Sequence, residues 1–156
     1  MRKILVLSAL ALLFSVTACY AQDSAYGELV KKIVSQASSL EAFTRQGAVD
    51  FTSYEAWLKK VKVLSDTLIK DFSRGNDKKA SYQFIQQGLS GLNEIWNALK
   101  QAQYADGEYK ESITAGDIGY AHKWKASAVE QRKKALELIP ASLEYFKKAK
   151  DALGSE

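Results

Sequence analysis

The chain of 156 residues carries 22 basic and 18 acidic side chains, with a single histidine, a single cysteine and a single methionine. That balance lacks the concentrated basic footprint of a nucleic-acid binder. So few ligating side chains exclude clustered zinc sites, haem attachment and most nucleophile–histidine chemistry, so no catalytic residue, metal or cofactor is expected.

Arg2 and Lys3 open the chain, and an apolar run from Ile4 to Val16 follows, broken only by Ser8 and Ser15. The run is too short to span a hydrocarbon core of ~30 Å comfortably. It reads as an export signal, residues 1–18, to be set aside from fold reasoning. Losing Arg2 and Lys3 from the 22 basic residues leaves twenty against eighteen acids, a mature charge of about +2. Directly after the run, Val16-Thr17-Ala18-Cys19 resembles the lipobox of bacterial lipoproteins, a branched residue and two small ones before a cysteine. The resemblance implies cleavage before Cys19, diacylation of its thiol and a membrane partnership through the acyl chains. One acyl chain holds a protein only marginally, whereas several hold it stably. Residues 19–23 would then be a short tether to a single domain, residues 24–156. The competing reading is a plain cut after Ala21, removing residues 1–21 and leaving a soluble periplasmic or secreted protein without cysteine.

The mature sequence reads as helices throughout. From Ser24 to Gln46, Tyr26, Leu29, Ile33, Ala37, Leu40 and Phe43 recur at three- and four-residue spacing, with Gly47 suited to the stop. A second helix opens at Thr52-Ser53-Tyr54-Glu55, a capping-box pattern, and buries Tyr54, Trp57, Leu58, Val61, Leu64, Leu68 and Phe72. Gly75 ends it, and Asn76 or Asp77 is expected to cap the third helix, about Lys78 to Tyr104. Tyr82, Ile85, Leu89, Leu92, Trp96 and Leu99 repeat there with a period of seven, which favours near-parallel bundle packing. Gly107 reads as its end, and roughly Gly107 to Asp117 as a loop. Thr114 or Asp117 would cap a fourth helix running to about Leu153, kinked near Leu136 to Ile139 because Pro140 lacks a backbone donor. Links this short make successive helices antiparallel neighbours. The expectation is an all-α, up-down antiparallel four-helix bundle with a kinked fourth helix.

Residues Trp96 to Ile113 resemble the first helix and turn of a tetratricopeptide repeat through Trp96, Leu99, Tyr104, Gly107, Tyr109 and Ile113. Lys134 to Ser142, "KALELIPAS", resembles such a repeat's ending. That resemblance implies the alternative of a degenerate helical array serving as a peptide-binding scaffold. Lys100, Gly116 and Gly119 depart from its packing positions.

Two features stand out as candidate sites. Tyr109, Tyr120, His122 and Trp124 gather around the expected loop, either plugging the end of the bundle or offering a recognition surface, because aromatic side chains carry large contact area at little entropic cost. Gly88 and Gly91 are unfavourable inside a helix and mark either a close helix approach or a cleft for a small apolar ligand. Glu130, Glu137, Glu144 and Asp151, seven apart, read as a solvated charged face. The function expected is an exported, lipid-anchored, non-catalytic binding or adaptor protein of the bacterial envelope. Its partner would be an envelope protein met at the loop end. A soluble periplasmic carrier of a small apolar ligand is the alternative.

Overall fold

A computed structural model describes residues 23–41 and 49–155. Four helices account for nearly all of them: α1 over residues 23–41 with a turn at residue 39, α2 (Phe51–Asn76), α3 (Ala80–Thr114) and α4 (Ile118–Leu153). No strand occurs among the described residues. The expected export signal, Cys19, the expected tether up to residue 22 and the stretch beyond residue 41 where the first helix was expected to end lie outside them. None of the described helices is long and apolar enough to cross a membrane.

The predicted apolar faces are the ones buried. Tyr26, Ile33, Ala37 and Leu40 of α1, Tyr54, Leu58, Val61 and Leu68 of α2, Ile85, Leu92 and Leu99 of α3, and Ile139 and Phe146 of α4 form one core. Its buried polar groups find partners. The Tyr54 hydroxyl donates to the Leu92 carbonyl at 2.8 Å, and the Tyr26 hydroxyl lies 2.6 Å from that of Ser81. Burial pushes the Tyr54 phenol far above its usual pKa. The Trp57 indole donates to the Ser39 hydroxyl at 2.8 Å, tying α2 to α1. Tyr26 meets Phe72 at 6.0 Å, Phe51 meets Trp96 at 5.8 Å, and Gly27 lies against Leu153. Tyr26 with Ser81 joins the starts of α1 and α3, and the other contacts join the start of one helix to the far end of another or to the middle of a longer one, as an up-down bundle requires.

The helix ends differ from the sequence expectations in three places. Asp50, not Thr52, caps α2: its carboxylate accepts from the Thr52 and Ser53 amides at 2.9 and 3.1 Å. At the other end Gly75 takes φ +89° as expected. Asn76, however, turns back to donate to the Phe72 carbonyl and so closes α2, leaving Lys79 as the start of α3 without a side-chain cap. The Lys79 ammonium is engaged elsewhere, 3.0 Å from Asp23 and over the Tyr26 ring.

The largest difference concerns Gly107. The expected loop from Gly107 to Asp117 is helical as far as Thr114, so α3 is 35 residues long and only Ala115 to Asp117 remain as a link. Gly116, at φ +79°, is the true terminator. The Asp117 amide reaches the Ser112 carbonyl and the Gly116 amide that of Ile113, a Schellman ending, and Asp117 then caps α4 through the Tyr120 amide. A glycine inside a helix costs up to ~1 kcal/mol, which continued pairing along α4 outweighs. α4 runs through Pro140 as one element of 36 residues. These long hairpin helices replace the short helix pairs of the repeat alternative: the stretch read as a repeat's turn lies inside α3.

The core cluster stops at Leu99 in α3 and Ala135 in α4. Beyond that level the two helices continue for about 22 Å at 1.5 Å per residue with no third helix beside them among the described residues, as a two-helix arm. Val49 to Thr52, at the entry to α2, sit in the crook where the arm leaves the body, around a notch of about 420 Å³.

Candidate functional site

The arm is held by small residues. Ala102, Ala105, Ala121 and Ala128 are buried although they stand outside the core cluster. In α4 the small residues Ala121, Ala128, Ala135, Ser142 and Ala149 recur every seven positions, and all are buried. The register against α3 is set in the body, where Gly91 faces Ser142 and Gly88 faces Phe146. Continued along the hairpin, it brings Ala98 opposite Ala135 and Ala105 opposite Ala128. Small residues in facing layers let two helices approach closely enough to exclude water without large side chains.

The same geometry removes the expected cleft at Gly88 and Gly91. A Cβ at Gly88 would lie 2.7 Å from the Phe146 ring, and one at Gly91 would overlap the Ser142 hydroxyl, 3.0 Å from its Cβ. Both glycines sit at a close approach of α3 and α4, where a side chain would meet Phe146 or Ser142 and not open space.

The four aromatic and histidine positions do not form one surface. About the alanine seam, at about 100° per residue, Tyr120 and Trp124 fall on one flank of the arm with Tyr104. Tyr109 and His122 fall on the other, with Ile113, Ile118 and Val129. Two contacts show which flanks of the helices meet: Tyr104 and Trp124 stack edge-on at 5.8 Å, and Asp106 pairs with Arg132. Tyr104 bonds to Glu108, which with its charge holds the phenol above its usual pKa. Lys123 lies 5.1 Å over the exposed Tyr120 ring. None of these aromatics plugs the bundle, because they stand beyond the core cluster.

Of the seven large apolar side chains exposed among the described residues, five are on the arm: Tyr104, Ile113, Ile118, Tyr120 and Val129. Ile113 entered the sequence reading only through the repeat resemblance, and Ile118 and Val129 were not singled out. Their flank has a particular history along the hairpin. In the body it carries Leu92 and Leu99, which α2 covers, and Leu136 and Leu143, which border α1. On the arm the same flank continues with no covering helix among the described residues. The half-buried Tyr109 and the exposed His122 and Lys125 lie within it.

A second concavity separates α1 from α4. This groove of about 1140 Å³ has Val34, Leu136, Ile139 and Leu143 as its apolar lining, with Pro140 beside them. Because α1 and α4 are antiparallel, Lys31, Lys147 and Lys150 meet at one end and Ser38 and Glu41 lie toward the other. Among the described residues no group of three histidine, cysteine or acidic side chains is placed to hold a metal ion. Comparison with known protein families, curated proteins and solved structures finds no match for this chain.

Proposed function

We propose that the protein is an exported, non-catalytic adaptor of the bacterial envelope, anchored through acyl chains on Cys19, which docks a partner along the flank of its arm that no described helix covers. The observation that supports this reading is the continuity of that flank. Where four helices are present it is a core face; where two are present it exposes Ile113, Ile118 and Val129. An amphipathic helix laid there restores the packing that α1 and α2 provide in the body, the helix-in-groove mode of recognition. Lys110 and Lys125 are exposed beside the apolar positions, so a partner helix with acidic margins is favoured electrostatically. Apolar residues at the arm's centre would carry most of the affinity, and the charges would mainly set orientation and on-rate.

Two measurements test the two halves of this reading. Intact mass of the processed protein from envelope membranes should give a chain starting at Cys19 with added acyl mass; a plain chain starting at Gln22 would overturn the anchor. A photo-crosslinking residue at Val129 or Ile113 should trap one discrete envelope protein, and the same residue at Val63 of α2 should not. Trapping is expected to disappear with Ile118→Glu at unchanged melting temperature. Identical products from Val129 and Val63 would overturn the docking flank.

A further inference from the structure

Independently of the arm, we infer that the groove between α1 and α4 binds a free amphiphile bearing one carboxylate and an unbranched alkyl chain. The groove's lysines gather at one end, where they outnumber Glu144, one turn from Lys147; Glu41 lines the opposite end. Lys31, Lys147 and Lys150 converge at its outer end, where the start of α1 meets the end of α4. Lys31 is shared with Glu28 at 2.9 Å, and Lys147 and Lys150, both exposed, reach the same end from α4. Further in, Val34 and Ile139 are buried and Leu143 is half-buried, so the lining turns apolar within two helical turns of the lysines. The stretch from Lys147 to Leu136 is about 16 Å long at 1.5 Å per residue, room for an alkyl chain lying along the helices rather than for a compact ring system. A polar head among cations and a chain over aliphatic side chains is the division of labour that orients a ligand in a mostly apolar pocket. Lysine suits a carboxylate head as a compact point charge on a flexible stem. Cations at this end also lie within the last turns of α4, where the helix dipole favours positive charge and a bound anion therefore depends on those side chains.

The test is calorimetric titration of the mature chain with monomeric dodecanoate, and with dodecanol as the uncharged control. Dodecanoate should bind saturably at one equivalent and raise the melting temperature; dodecanol should bind about tenfold or more weakly, the loss typical of a charge-assisted bond. The double variant Lys147→Glu, Lys150→Glu changes only exposed positions and should lose the preference for dodecanoate while keeping its unliganded melting temperature. Leu143→Trp should block both probes. Three results would each overturn the assignment: no saturable uptake of dodecanoate, equal affinity for the two probes, or dodecanoate binding unchanged in the double lysine variant. Adsorption to anionic phospholipid vesicles without uptake of monomeric dodecanoate would also overturn it, assigning the lysines to a bilayer surface instead.

Discussion

The body and the arm of this molecule are built from the same two helices under opposite conditions. In the body, α3 and α4 are half enclosed by α1 and α2, so residues as large as Ile85, Leu92, Ile95 and Phe146 can be removed from water. On the arm each helix has one neighbouring helix among the described residues. Only the narrow seam between them is dry, and alanine fills it. Burying a leucine-sized side chain contributes about 1.5–3 kcal/mol, whereas a methyl group contributes far less. The arm is therefore a projection that the body stabilises and that adds little stability itself. What it gains is surface: both flanks stay accessible, and one carries apolar side chains that the body's architecture would have covered.

Substitutions can break this contrast or refine it. The largest effect is expected in the body. Tyr54→Ala removes a fully buried ring whose hydroxyl is hydrogen-bonded, and should destabilise by about 3–5 kcal/mol in chemical denaturation, as truncation of large core aromatics does. A loss as large from truncating Tyr104, on the arm, would contradict the distinction.

Next come the glycines, where one chemical change should have opposite signs. Gly91→Ala drives a methyl into Ser142 and should cost about 1–3 kcal/mol by overpacking. Adding Ser142→Gly should return much of that loss, and a double-mutant cycle reads the coupling directly. Gly107→Ala meets nothing within 4 Å, so only the helix preference of alanine remains.

At the root of the arm, Asp50→Ala should cost about 1 kcal/mol through loss of the α2 cap. This effect depends on pH. The Ser53 hydroxyl, then the Ser53 and Thr52 amides, hold the Asp50 carboxyl below its usual value of 3.8. A depressed folded-state pKa means that the stabilisation is complete above that value and is lost as pH falls through the lowered one. The gap between parent and variant should accordingly be constant near neutrality and close in acid. The smallest effect is Gly107→Ala itself, a gain of roughly 0.5–1 kcal/mol, visible chiefly as slower amide exchange in the arm. Slower exchange throughout the body instead would show that the two regions open as one unit.

The faces of the four helices were legible because amphipathic spacing is local: each inward residue announces itself three or four positions from the next. Gly107 and Gly116 show where that legibility ends. Both follow plausible helix, and both precede polar residues. What separates them is Asp117, which caps the following helix once Gly116 has turned the chain, while Gly107 has no such successor. The seven-residue repeat of Ala121, Ala128 and Ala135 was not read as a line, and its meaning required the pairing of Gly91 with Ser142 and Gly88 with Phe146. No spacing within one helix encodes that register. Ile113, Ile118 and Val129 were not read as one surface for the same reason: Ile113 fell in a presumed loop, and only a continuous hairpin places it beside the other two. The groove at Val34, Ile139 and Leu143 joins residues about a hundred positions apart, and so was likewise unreadable from the chain alone.

The hairpin's three-residue link sets up a conflict in time. Contacts nearest Ala115 to Asp117 close the shortest loops and are entropically the cheapest to form. They are also the alanine contacts, the least rewarding in buried area. Contacts such as Gly88 with Phe146 close a loop of nearly sixty residues but join the main core. Zipping from the link would therefore begin easily and stall, and completion must await the body. Once folded, the molecule should fray in the reverse sense, its tip opening many times for each global unfolding. The segment with the shortest path to its native contacts is also the one that keeps them least.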